Sequence, residues 1–144
     1  MTTPYQMLRE FHTKMNLACH DTPRLMTRKE WMLYYGNFDS ERREFDAEFM
    51  LIGSHTLSTE RNAKHASEAL AKMLKEACDV VYTTIAPFVV MGVDFDEAFR
   101  RVHESNMAKD PSLRDANGKI LKPPGWVKPD LSDLVKLEAK KEAW

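Results

Sequence analysis

The chain has 144 residues, 43% hydrophobic and 30% charged, with a net charge of -1, which suits one soluble domain with a single core. That balance lacks the basic footprint of a nucleic-acid binder, and no stretch reaches the roughly 20 apolar residues of a bilayer span. Cys19 and Cys78 lie far apart without metal-ligand spacing, and MTTPYQMLREFH lacks the layout of a signal peptide. The expectation is a reduced cytoplasmic protein with buried thiols and with neither nucleic acid nor membrane as partner.

The pattern is helical nearly throughout. TPYQMLREFHTKMNL places Met7, Leu8, Phe11 and Met15 on one helical face, and HDTP breaks it. TRKEWMLYYGNF opens with Thr27 and Glu30 at capping-box spacing. The pattern leaves two options at Gly36-Asn37, continuation or a break with NFDSE capping a fresh start. SERREFDAEFMLIG is helical on the spacing of Phe38, Phe45, Phe49 and Ile52, and SHTLSTERNAKHA reads as a polar loop. Leu70, Met73, Leu74, Ala77 and Val81 then form the inward stripe of a further helix. Beyond Asp79 apolar residues surround this helix, as in a buried central element; Pro87 is expected to kink it and Gly92 to end it. Asp94 and Glu97 start another helix with Phe95, Ala98, Phe99 and Val102 inward. PSLRDANGKILKPPGWVKPD is a turn-rich loop, and residues 131–144 form a short tail helix. The reading is a single all-α domain over residues 1–144, with no repeats and no alternating strands.

One carboxylate stands out. Asp79 is the lone charge between Ala77 and Met91, and an ionised carboxylate among apolar groups needs a partner or a metal. Glu76, three residues earlier, shares its helix face, roughly opposite the Leu70 stripe. Glu41 and Glu44 form a matching pair on the earlier helix, with Glu48 one turn on. Two neighbouring helices presenting these pairs to one cleft would repel unless a cation neutralised them, and hard oxygen ligands suit Mg²⁺ or Mn²⁺. The His of the di-iron E-x-x-H motif is absent three residues after either pair. Mg²⁺ held by carboxylates usually serves phosphate chemistry, and VHESNMAKD offers Asn106 and Lys109 on one face. Lys119 and Lys122 follow in the loop.

The order E-x-x-E, then E-x-x-D, then VDFDEAFRRVHESNMAK and GKILKPPGWVKPDL resembles the all-α nucleoside triphosphate pyrophosphohydrolases. These are the MazG-like and phosphoribosyl-ATP pyrophosphohydrolase-like group, particularly its small phage and bacterial single-domain members. The resemblance runs from Leu8 to Leu131. It implies a MazG-like helical bundle assembling as a dimer or tetramer with composite sites, and metal ligands at Glu41, Glu44, Glu76 and Asp79. It also implies phosphate contacts from Asn106, Lys109 and Lys122, and two or more Mg²⁺ or Mn²⁺ ions per site. The implied reaction converts an NTP or dNTP to its monophosphate and pyrophosphate, with Glu41 or Glu44 accepting the proton of the attacking water. The chain departs from many relatives in carrying Ser40 where they have a further Glu, and KPPGW in place of a Gly-Pro-Asn-Tyr type of sequence.

For the base, Trp31, Trp126, Phe11 and Tyr82 are stacking candidates and Asn16 could hydrogen-bond a base edge. The two Trp residues favour a purine, guanine first. Three rival readings stand beside this one. The first is a dimeric all-α dUTPase or dCTPase. The second is a non-enzymatic helical oligomerisation module whose carboxylates pair with Arg42, Arg43 and Lys75. The third is an HD-type phosphohydrolase built on His20-Asp21, although that dyad adjoins a Thr-Pro turn.

Overall fold

The structure, a computed structural model, describes residues 1–58 and 63–137. Its regular elements are α1 (Pro4–Lys14), α2 (Arg28–Leu57), α3 (Ala63–Met91), α4 (Phe95–Met107) and a 3-10 turn, Ser132–Val135. The β-type pairing among the described residues is an isolated Arg114–Ile120 bridge, so the fold is all-α.

Local chemistry starts the helices. Thr27 Oγ1 accepts the Glu30 N–H while Glu30 Oε2 accepts the Thr27 N–H, at 3.3 and 2.7 Å. Thr3 and Gln6 make the same reciprocal pair at the start of α1, and Asp94 Oδ1 accepts the Glu97 N–H at the start of α4. Each satisfies an otherwise orphaned donor of a first helical turn. The expected Thr27 and Asp94 starts are therefore present.

α2 runs unbroken through Gly36. A Cβ there would meet nothing within 4 Å, so the glycine costs about 1 kcal/mol of helix propensity, which packing along α3 offsets. The expected polar loop after Gly53 is largely helical, since α2 continues to Leu57 and α3 begins at Ala63. Here Ser54 and Thr56 donate their hydroxyls back to the carbonyls of Leu51 and Ile52, so polar composition does not oppose the helix.

α3 continues through Pro87 and stops at Gly92, whose φ of +67° suits glycine. The Val93 N–H reaches back to the Phe88 carbonyl at 2.9 Å. The connection from α1 to α2 crosses this end. His20 and Arg24 donate backbone N–H groups to Val89 and Met91 carbonyls, and the Arg24 guanidinium bridges the Val90 carbonyl and Glu30. His20 thus serves as part of a helix cap, and Asp21 is bound to Arg9 of α1 at 2.5 Å.

The core gathers around the second half of α3: Ile85, Ala86, Val89 and Val90 pack with Tyr5 and Leu8 of α1 and Tyr34 of α2. The apolar spread beyond Asp79 is indeed a central element. The Leu70 stripe is different. Leu70 is 52% exposed, Leu74 64% and Val81 46%, whereas Ala69 on the other side is buried. α3 turns its Ala69–Glu76 side toward α2 and its leucines outward. In α4, Phe95 packs on the core but Phe99 is 63% exposed, so its expected inward face is only partly covered. Of the expected tail helix, Ser132–Val135 forms a 3-10 turn, and residues 138–144 lie outside the described residues.

Candidate active site

α2 and α3 pack against each other as a long hairpin, and the carboxylates meet along its middle. Glu41 and Glu44, one turn apart on α2, and Glu76 of α3 each place an oxygen within 4.8 Å of the other two. Burial raises the Glu41 carboxyl above its ordinary value, and repulsion from Glu44, Asp79 and Glu76 adds to this against the opposing Lys75. Asp79 is therefore within electrostatic reach of the group without belonging to the close trio. Its Oδ2 lies 2.8 Å from Lys75 Nζ, which also sits 3.0 Å from Glu76 Oε2. What Asp79 faces in this structure is an ammonium. Asp79 and Glu76 in turn hold the Lys75 ammonium well above its usual range.

The neighbouring arginines are committed elsewhere. Arg42 pairs with Asp39 and Asp46, and Arg43 with Asp39. Glu41 and Glu44 have no ion pair among the described residues. Beyond them, Glu48 Oε2 is buried with no hydrogen-bond partner. An all-oxygen donor set, mutually repulsive and next to an orphaned buried carboxylate oxygen, fits a hard divalent cation.

The other expected residues fall at two further places. Asn106 closes the last turn of α4, its carbonyl accepting the Lys109 N–H at 3.2 Å. Lys109 Nζ and Lys122 Nζ lie 6.0 and 4.4 Å from the Trp126 ring centre. Lys109 and Lys122 are thus brought together at one ring, and no hydrogen bond or ion pair among the described residues joins them to the carboxylates of the same chain.

Of the base candidates, Phe11 lines a cavity of about 300 Å³ with His12, Leu33, Tyr34, Asn37, Tyr82 and Thr83 among its walls. Asn37 lies one turn before Glu41 and Thr83 one turn after Asp79, so the cavity adjoins the carboxylates along both helices. Trp31 is elsewhere, stacked on Tyr35 with centroids 5.4 Å apart and lining a separate groove with Met26, Phe38 and Phe88. Asn16, at φ 53°, terminates α1 and lines neither space. Sequence reasoning missed His12 and Asn37. His12 is 1% exposed, its Nδ1 2.7 Å from the Ala18 carbonyl and its ring stacked on Tyr34. The signal for Asn37 was its spacing of four residues from Glu41.

None of the curated proteins compared with the chain matches it. The family model for phosphoribosyl-ATP pyrophosphohydrolase matches residues 8–106, a span that holds α2 and α3 entire, the four carboxylates, the cavity and Asn106. The all-helical scaffold, the carboxylates converging from its two longest helices and this match together show that the chain belongs to the phosphoribosyl-ATP pyrophosphohydrolase family, and is a hydrolase of phosphoric anhydride bonds.

Proposed function

We propose that the protein is a metal-dependent nucleoside triphosphate pyrophosphohydrolase that converts a (d)NTP to its monophosphate and pyrophosphate. The observation that carries the reading is the convergence of Glu41, Glu44 and Glu76, with Asp79 alongside, in a group that the adjacent arginines do not neutralise. Glu41, Glu44, Glu76 and Asp79 would hold Mg²⁺ or Mn²⁺, one ion or more. The bound ion supplies charge neutralisation of the phosphate oxygens and acidifies water. A carboxylate of this group that the metal leaves unsaturated, Glu41 or Glu44, would take the proton of the attacking water. Attack at the α-phosphorus breaks the α–β anhydride bond, and Lys109, Lys122 and Asn106 receive the charge of the departing pyrophosphate.

The cavity beside the carboxylates takes the base. Phe11 and Tyr82, edge to face with centroids 5.5 Å apart, form an aromatic wall, and the Asn37 amide can meet a base edge that presents both a donor and an acceptor. The guanine preference rested on Trp31 and Trp126, and neither ring lines this cavity. The Asn37 amide fits such an edge on any of the bases, so guanine nucleotides, dUTP and dCTP enter the panel on equal terms.

Assembly follows from the exposed apolar faces. Leu70 and Leu74 of α3 and Phe49 and Met50 of α2, 57% and 73% exposed, are too many for a solvated hairpin. A second copy covering them yields the dimer or tetramer. It also lets the Lys109–Lys122 pair of one protomer serve the carboxylates of another. No helix among the described residues is long and apolar enough to cross a membrane.

The test is ion-exchange product analysis of the common NTPs, dNTPs and dUTP with Mg²⁺, Mn²⁺ or EDTA, beside Asp79→Asn. Monophosphate without diphosphate, lost in EDTA and in the variant, is the expected result. Absence of turnover with every nucleotide and both metals overturns the reading.

A further inference from the structure

The loop after α4 is held in place by its own chemistry. Asp115 Oδ1 accepts the N–H groups of Asn117 and Lys119, the Arg114 guanidinium binds the Gly118 carbonyl, and the Leu121 N–H returns to the Leu113 carbonyl at 2.8 Å. A turn over Pro123-Pro124-Gly125-Trp126 follows, with the Trp126 N–H on the Pro123 carbonyl at 3.1 Å and Gly125 at φ +77°, the pattern of a proline–glycine type II turn. The turn directs the indole back onto α4. There Trp126 Nε1–H donates to the Ser105 carbonyl at 3.0 Å, and the Ser105 hydroxyl donates to the Val127 carbonyl at 3.4 Å. Downstream, Arg101 clamps Asp133 and the Asp130 carbonyl. The indole is fixed on both sides.

Two ammonium groups from separate parts of the chain share this ring. Lys122 stands immediately before the turn and Lys109 just past α4, and both Nζ atoms lie within about 6 Å of the ring centre. Neither has a carboxylate partner among the described residues. Like charges disperse unless something gathers them, and lysine stems are long and mobile. An aromatic face attracts both cations without cancelling their charge, so they remain available to an anion.

We propose that Trp126 is a positioning residue, gathering Lys109 and Lys122 into one cationic cradle for the polyphosphate end of the substrate, and takes no part in base stacking. The assignment rests on the pyrophosphohydrolase reading for its place in catalysis, but the cradle is testable without turnover. The experiment is calorimetric titration of inorganic pyrophosphate into the full chain in EDTA at low ionic strength. The proteins are the parent, Trp126→Phe, Trp126→Ala, Lys109→Gln/Lys122→Gln and that double variant carrying Trp126→Ala, each checked for helicity by circular dichroism. Trp126→Ala is expected to weaken pyrophosphate binding about tenfold and Trp126→Phe to restore most of it. In the background lacking both lysines, removing the indole changes nothing further. Unaltered affinity in Trp126→Ala, an undiminished Trp126 effect without the lysines, or no pyrophosphate binding by the parent overturns the proposal. Failure of the hydrolysis reading shows separately, as a parent that binds pyrophosphate but makes no monophosphate. Where it does turn over, Trp126→Ala raises KM with little change in the ranking of bases.

Discussion

Replacing Glu41 by Gln tests the electrostatics of the carboxylate group with a change of almost no volume. The oxygens of Glu41, Glu44 and Glu76 lie within 4.8 Å of one another. Two unit charges that far apart repel by roughly 0.9 kcal/mol at the dielectric constant of water and several-fold more at a partly buried site. Glu44 is exposed and Lys75 offsets part of the charge, which keeps the sum near the lower limit. Removing the Glu41 charge relieves two of the three close repulsions, a gain of about 1–2 kcal/mol, or about 3–6 °C in Tm at fixed protein concentration. The pH dependence has a definite sign. A carboxyl raised in the folded state binds more protons there than in the unfolded chain, so its destabilisation grows as pH rises through that window and is complete at neutral pH. With Mg²⁺ the sign reverses. A ligand at a hundred times its Kd stabilises the parent by about 2.7 kcal/mol, and the variant, short of one ligand, loses most of that. Differential scanning fluorimetry of both proteins in EDTA and in Mg²⁺ measures all four values. A variant less stable than the parent in EDTA that keeps the full Mg²⁺ shift would refute the reasoning.

Gly92→Ala is expected to destabilise the fold by about 3 kcal/mol or more, because the added Cβ would sit 2.3 Å from the Thr22 carbonyl oxygen at a positive φ; urea unfolding reads it. Glu97, held down to about 2 by Arg100 and Arg101 against an ordinary 4.5, contributes stability that is present above the ordinary value and lost as pH falls toward 2. Glu97→Gln therefore flattens the acid limb of Tm against pH and leaves its neutral shape unchanged. Leu74→Glu, on the exposed face of α3, is expected to reduce the mass by light scattering to that of a smaller species while helicity persists. A parent that is monomeric at micromolar concentration would remove the basis for that expectation.

How much was legible followed from how local each determinant is. Thr27–Glu30 and Asp94–Glu97 were readable because a cap is settled within four residues. Helix two was harder. Gly36 resembles a breaker in isolation, and only open space around it and packing on α3 let the helix pass. Periodicity identified the Leu70 stripe as an apolar face but not what covers it; α3 packs on α2 through Ala69 and Glu76, and the leucines stay exposed within one chain. The convergence of Glu41, Glu44 and Glu76 was legible because each pair lies on one helix face. The Lys75–Asp79 pair was legible too, as the i, i+4 spacing that the non-enzymatic reading invoked, whereas the Arg42 and Arg43 of that reading pair with Asp39 and Asp46 instead. The base cavity was the least legible part. His12, Asn37 and Tyr82 come from three helices, and no spacing rule links them.

On the proposed metal-dependent reading, the Lys75 bridge would make metal uptake an exchange of one counterion for another. An ammonium on a flexible stem already occupies the gap between Glu76 and Asp79, so an arriving divalent ion displaces one positive charge while adding two. The lysine is held well above its usual range and leaves as the cation. A tethered counterion of this kind would compete with the ion and lower the affinity that the four carboxylates would otherwise have. Lengthening the ionic-strength range over which loading is measured should therefore reveal a shallower salt dependence than four bare carboxylates would give.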